Sequence, residues 1–567
     1  MGEKTLKKTK LGKISARISG ICLAAVLLTG TFVGAMPVLA ATSVKKETSA
    51  KTAAAASGSP EVWIHQQYEY KYDEIDGESK MVYDVNYAQL KLTDASAEAY
   101  PELKHALDRY NQARVRLADH TIEDILSQID EMKKEGYPFY EAFADKEKIC
   151  LRRVDEDVVS FVRVTDWYGG GAHGYSGWYG TSFDAKAGTE IMLSDLIPAK
   201  NNRKLKQALI KELRKAYDDP DREYEIWFDL EGTMDHYSVE ADPDAEVNLD
   251  EENYQYAYNW VLDPQGVTFF FNPYELAAYA YGGQQVTILF DEYPELFSDS
   301  FSATEKGFVL NFRPYEDLRF DLDGLGDIDT LRVTEIQDEE SYQSGSYDGL
   351  QIELNGKIFE DRSWETYIYD FDPMLVRTMD GSCWLYVLCQ EENDWEVTYI
   401  YDLNGRTPRL VGTADAVEQS FDIPYSEEYS GSLFSQVTDP ASFRIGTRAQ
   451  VLSTLFVTKR AHTGMDGMPV PDDKRWKTTS DFTLTLKKAT SFDCVDDKGR
   501  LTGKTCGVSK GEKLILRYTD GETYCDAETE DGTMVRIFQD KDAENGWPYT
   551  VNGFELNELF EHVVFAG

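Results

Sequence analysis

Residues 167–179 read WYGGGAHGYSGWY, thirteen positions that hold five aromatic residues, five glycines and His173, one of only seven histidines in 567 residues. Glycines stand where a chain must bend or approach something closely. Exposed Trp and Tyr anchor binding surfaces. The stretch is therefore a turn or a site, and its neighbours set the fold around it. Upstream, CLRRVDEDVVSFVRVTDW (150–167) reads as a hairpin turning at Asp155 to Asp157, whose second strand delivers Trp167 into the stretch. Downstream, Trp178 to Phe183 reads as another strand, with a turn from Asp184 to Thr189.

Further outward, Val62–Tyr72 and Met81–Leu92 alternate polar and apolar residues as paired strands do. Pro101 opens a helix whose apolar positions Leu103, Leu107, Tyr110, Val115, Ile122, Ile125 and Ile129 recur at helical spacing, closing near Gly136. A second helix is expected from Ser194 to about Tyr217, and GVTFFFNPYELAAYAYGGQQVTILF (266–290) reads as two strands around a Pro-containing bend. This half is expected to be α+β, in two units, 61–166 and 167–300. From Phe308 the pattern becomes short strands and turn clusters. It predicts a β-rich unit over 308–475 and a small β-barrel over 480–567, so the chain is multidomain with an all-β C-terminal half.

The N-terminus carries Lys4, Lys7, Lys8, Lys10, Lys13 and Arg17, followed by an uncharged run from Ile18 to Val44 that includes Val38-Leu39-Ala40. Residues 1–40 read as an export signal cleaved near Ala40, the alternative being an uncleaved N-terminal anchor. Residues 41–60 are a small-residue linker. The expected location is secreted or cell-surface, with membrane contact only through a retained N-terminal segment. A net charge of −43 excludes nucleic acid as a partner and favours basic proteins and divalent cations. Six cysteines follow the signal. Cys383 and Cys389 flank a strand and cannot bond to each other, whereas Cys494 and Cys506 flank a turn and stand open between a disulfide and two buried thiols.

Enzyme signatures are absent: no HExxH, no GxSxG and no GxxxxGK[ST]. With 101 carboxylates, nominating any acid pair as glycosidase catalysts carries no information. FDLDGLGDIDTL (320–331) is the metal candidate. Asp321, Asp323 and Asp329 fall at positions one, three and nine of a calcium-type loop and Gly326 at position six, but Leu325 occupies position five, where an oxygen is wanted. Calcium is the one cofactor to consider, against a hairpin turn with solvated acids.

Three ordered motifs, GGAHG with its following strand, FDAKAGTEIMLSDL, and VTFFFNPYELAAYAYG, together resemble the extracellular C-terminal domain shared by the lysozyme-sensing anti-sigma factor RsiV and the peptidoglycan deacetylase PdaC. Residues 62–165 resemble the companion domain that precedes it, and the C-terminal barrel loosely resembles a bacterial Src-homology-3-type barrel. Tyr175 stands where that family tends to have Asn, and Ala278 where it has Pro. Neither the sigma-factor-binding region nor the deacetylase metal motif has a counterpart, so the resemblance implies a recognition module without its usual effector. For the opening stretch two readings follow. In one, Ala172 and His173 sit against the core and the glycines turn the chain. In the other, Trp167, Tyr168, His173, Tyr175, Trp178 and Tyr179, with Tyr274 and Tyr279 of the NPYELAAYAYG bend, form a ligand-binding surface. The expected function is non-enzymatic binding, in the cell envelope or outside it, of wall glycan or a cationic wall-degrading enzyme such as lysozyme. A carboxylate-based wall hydrolase and a structural surface scaffold are the alternatives.

Overall fold

The structure is a computed structural model. It describes residues 58–565 apart from 76, 220–221, 223–224, 244–253, 302, 305–306, 365, 393–394, 418, 423–430 and 542–548. Residues 1–40, expected to be an export signal, and nearly all of the expected linker 41–60 lie outside the described residues. The molecule is multidomain and strand-rich.

The alternating segments form β1 (Val62–Ile75) and β2 (Glu78–Leu92), paired antiparallel with Ile64 opposite Leu90. The helix α1 (Pro101–Glu135) starts with proline at its first turn and stops at Gly136, which takes the left-handed conformation. Leu103, Leu107, Ile125 and Ile129 bury against the sheet as their spacing predicts, but the middle of the core face is carried by Arg114, between Tyr110 and Ala118, while Val115 turns partly outward. The polar intruder has its partner inside: Arg114 bonds Glu147 on β3 (Phe143–Val154). β3 turns at Asp155 into β4 (Val158–Tyr168), and β4 pairs with β5 (Tyr175–Asp184), Trp167 lying opposite Tyr175.

β2 and β3 run parallel but pair only over Tyr83–Val85 and Phe143–Asp145. Beyond that, side-chain amides replace a strand along this edge of β3. Gln66 donates to the Glu147 carbonyl, and Gln436 both receives the Leu151 N–H and donates to the Ile149 carbonyl. The strand 431–435 adds to the free side of β1, so part of the C-terminal half completes the N-terminal sheet.

Packed on the other face of this sheet is a second layer. The expected helix over 194–217 is broken by Pro198 into a single turn, Leu193–Leu196, and α2 (Asn202–Tyr217). Leu205, Leu209 and Leu213 of α2 bury with the strands β6 (Asn259–Leu262), β7 (Gly266–Phe271) and β8 (Gln284–Leu289). β6 crosses β5 so closely that a Cβ on Gly180 would stand 2.0 Å from the Trp260 carbonyl oxygen, which admits only glycine there.

The C-terminal half is layered around a five-stranded sheet running 308–311, 368–377, 383–391, 396–402 and 409–415. CWLYVLC, Cys383–Cys389, is its centre. Cys383, Leu385, Val387 and Cys389 bury against a four-stranded sheet built from 318–361, and Trp384, Tyr386 and Leu388 bury against a ten-stranded sheet built from 443–561. Burial on both faces is why this strand reads as an unbroken apolar run. The strands after residue 480 do not close into the expected barrel. They continue the sheet begun by 443–450 and 454–463, and no closed barrel occurs among the described residues. Cys494 and Cys506 are joined by a disulfide between neighbouring strands, and Cys383 and Cys389 are buried thiols.

One buried node ties three distant segments of the chain together. Arg152 of β3 donates to both carboxylate oxygens of Asp263, at 2.8 and 2.9 Å, and to Glu316 at 2.7 Å, all three side chains being essentially inaccessible.

Candidate functional site

The glycine-rich segment 169–174 is the hairpin loop between β4 and β5, and Gly170 takes a φ of +75° with Phe143 directly beneath it. The stretch turns the chain as expected, but Ala172 and His173 do not sit against the core: both are exposed. The tip of the six-residue loop meets the 272–283 bend. There Tyr279 donates its hydroxyl to the Gly174 carbonyl at 2.8 Å. His173 lies stacked on the Tyr279 ring, centroids 4.1 Å apart, with its own Nδ1 donating to the Gly174 carbonyl. Tyr274, forced to a φ of 74° by the bend, sets its ring 5.6 Å from Tyr279. Two sequence motifs about a hundred residues apart thus meet in one surface stack.

The other nominated aromatics are not part of it, because side chains alternate along a strand. Tyr175 and Tyr179 point to the α1 side of the sheet, where their hydroxyls bond each other and the Arg163 guanidinium lies 4.5 Å above the Tyr179 ring. Trp178 points the opposite way, against Phe270 and under Arg313 at 3.9 Å. Its backbone is clamped by Asn272, which donates to the Trp178 carbonyl and accepts from the Trp178 N–H. Tyr168 donates to the Gly171 carbonyl within the loop, and Trp167 folds over Gly169. The single aromatic platform expected from the sequence is therefore three groups on different faces.

A residue that sequence reasoning did not nominate stands between them. Glu275, within the quoted NPYELAAYAYG, accepts a hydrogen bond from the Tyr237 hydroxyl at 3.0 Å. Burial pushes its carboxyl up to about 7, the Tyr237 bond pulling the other way. Burial, and after it the Glu275 charge among other neighbours, also raises the phenols of Tyr175, Tyr179, Tyr237 and Tyr256. A second carboxyl that also acts on Tyr179, Asp145, is pushed up to about 6 by burial and by Glu147, against Arg114 and Arg163. The signal for Glu275 was present in the motif, as the only acid in an otherwise apolar bend. Chemically the group is a neutral-to-anionic switch set among phenols, beside an exposed aromatic stack.

The calcium-type loop is organised by its own amides. Asp321 accepts from the N–H groups of Gly324 and Gly326, Asp323 from Leu325, and Asp329 from Leu322 and from the Asn355 side chain. Arg406 donates to Asp323 at 2.6 Å and comes within 4.0 Å of Asp329, supplying there the positive charge that a cation would bring. Among the described residues no group of three His, Cys, Asp or Glu is arranged to hold a metal ion. No described helix is long and apolar enough to cross a membrane.

Residues 194–291, which include α2, β6 to β8 and Glu275, match the model of a family described as a protein of unknown function, DUF3298. The hairpin loop 169–174 lies outside that match. Among solved structures, a member of this family from Bacteroides fragilis is similar at 16% identity, covering 42% of this chain and 93% of that one with a TM-score of 0.30. Another from Pseudomonas aeruginosa is similar at 16% identity over 42% and 96%, with a TM-score of 0.28. No curated protein matches the chain.

Proposed function

We propose that the chain is an exported, non-enzymatic binding protein of the bacterial envelope that docks a cationic protein on the His173–Tyr279–Tyr274 face. The observation that carries this reading is the exposed stack itself. Its rings are held in place by the hairpin loop rather than free to move, which lowers the ordering cost of binding. A chain with a net charge of −43 adds long-range attraction for a basic partner. The resemblance of the three motifs to the extracellular domain of the RsiV and PdaC type supports a wall-degrading enzyme such as lysozyme as that partner. The Lys-rich leader followed by an uncharged run supports export.

The experiment is direct binding of the full chain to lysozyme at low and at high ionic strength. Affinity is expected to fall steeply with salt, and Tyr279→Ala is expected to weaken it roughly ten-fold at low salt. No detectable binding at low ionic strength sinks the reading. Retention on insoluble peptidoglycan without fragment release then favours wall glycan as ligand, and release of soluble fragments favours the carboxylate hydrolase.

A further inference from the structure

Where the N-terminal sheet meets the β-rich half, a cavity of about 660 Å³ opens between β3, β4, the strands 368–377 and 383–391, and the strands 443–450 and 454–463. Ligand clefts span roughly 300–1,000 Å³ and favour such junctions between units. None of the residues singled out from the sequence lines it. It exists because β2 and β3 stop pairing after Asp145, and because single amides, Gln436 and Asn311, bridge β3 to the C-terminal half where a strand would otherwise fill the space.

Three large rings, Tyr68, Trp395 and Phe456, line the cavity and remain exposed at 40%, 38% and 40%. The Arg448 guanidinium lies over both the Trp395 ring, at 5.4 Å, and the Phe456 ring, at 5.1 Å, which ties the two rings into one aromatic group. From the strand 368–377, Asp370 and Asp372 project on the same face, two residues apart, and Lys148 of β3 reaches both, at 3.3 and 3.9 Å. Half of the Asp372 side chain is open. The surrounding walls push its carboxyl above the usual range, Lys148 pulling it back and Asp370 adding to the rise.

The charges of the lining settle the ligand class. Asp370, Asp372 and Glu396 are matched by Lys148, Arg313 and Arg448, so within a strongly acidic chain this chamber has no formal net charge. A phosphate or carboxylate ligand finds no cationic excess, and a cation finds no anionic one. A lipid tail would desolvate six charged side chains without compensation. What fits is a neutral molecule with apolar faces and many groups that both donate and accept. Each hydroxyl can donate to a carboxylate and accept from a lysine or arginine, while C–H faces rest on Trp395 and Phe456. We propose that this cavity binds a short neutral oligosaccharide, with Trp395 and Phe456 as the platform and Asp370, Asp372 and Lys148 as the hydroxyl-reading group. The proposal does not depend on protein docking at the hairpin face.

The test is calorimetric titration of the full chain with chitotetraose, cellotetraose and maltotetraose. At least one is expected to bind, with an affinity that changes less than about two-fold between low and high salt because the chamber carries no net charge. This separates it from the steeply salt-dependent docking of a basic protein. Trp395→Ala is expected to weaken binding at least roughly ten-fold. Asp372→Asn, which keeps the shape of the side chain, is expected to weaken it similarly while leaving thermal unfolding within a degree or so. Should Trp395→Ala fail to fold, Asp372→Asn decides alone. No heat with any of the three sugars at about 10 mM, or binding indifferent to the variants, overturns the proposal. Tighter binding of the cationic glucosamine tetramer than of chitotetraose overturns the neutral-ligand assignment.

Discussion

Arg152 is fully buried and Glu275 half-buried, and the chain treats their charges in opposite ways. Arg152 meets two carboxylates, Asp263 and Glu316, with three hydrogen bonds of 2.7 to 2.9 Å, the three residues coming from different segments of the chain, and Arg313 adds a further bond to Glu316. Burial alone would raise the Glu316 carboxyl, but Arg152 and Arg313 outweigh it and hold it at about 2. Glu275 is held by the Tyr237 phenol and a bond from the Asn272 backbone, both of which favour the anion, and burial prevails, at about 7. The first arrangement locks units together across the whole physiological range. The second changes charge within it, next to the exposed His173–Tyr279 stack. Desolvation is common to both, and the outcome is decided by whether an opposite charge is folded in beside the acid.

The largest effect expected from breaking this contrast is that of Arg152→Ala. It removes the buried cation from Asp263 and leaves Glu316 with Arg313 alone, and should cost about 3–5 kcal/mol, read by chemical denaturation. A loss below about 1 kcal/mol would show that the node is solvated rather than locked. Next comes acid. Because Glu316 is depressed in the folded state, its contribution is complete above the ordinary value of 4.5 and is lost as pH falls through about 2. The wild type should therefore lose more stability between pH 4.5 and 2 than Glu316→Gln, in paired denaturation series.

Glu275 has the reverse sign. Its folded-state value lies above the unfolded one, so its contribution is present below 4.5 and is lost as pH rises through about 7. Glu275→Gln should unfold at a temperature that changes less than the wild type between pH 5 and 8, a residual slope being left to Asp145. Equal slopes would mean that Glu275 is hydrated and not a switch. The smallest effect on stability belongs to His173→Ala. An exposed ring removed from a loop should shift unfolding within about 0.5 kcal/mol while weakening lysozyme docking at low salt. A large loss of stability would instead make the stack part of the core.

Legibility differed by element. The paired strands 62–92, the helix from Pro101 to Gly136 and the hairpin at Asp155 were readable because their period and caps are local properties of the sequence. Arg114 was hidden because a helical stripe records apolar residues, and its partner Glu147 lies 33 positions away. His173 stayed open between core and surface for a related reason. A histidine in a glycine loop has no local cue to say whether its contact is the core beneath or another loop, and here it was Tyr279, 106 residues on. The aromatic platform failed on alternation: Tyr175, Tyr179 and Trp178 were grouped by proximity in sequence, yet successive strand positions face opposite sides. The expected barrel failed because strand pattern fixes that strands exist and leaves open which edge they join.

By itself the sequence determined an acidic, strand-rich, multidomain chain, with a hairpin where the glycines fall and an apolar strand at 383–389 that must be covered on both faces. These follow from composition, periodicity and backbone sterics, which act over a few residues. Only the tertiary structure decided which acid met an arginine, which faced a phenol, and where β3 parted from β2 to leave a cavity lined by six charges. Those outcomes depend on groups far apart in the chain, 38 positions for Tyr237 and Glu275 and 164 for Arg152 and Glu316, that lie a few ångströms apart in space, and electrostatics responds to the second distance alone.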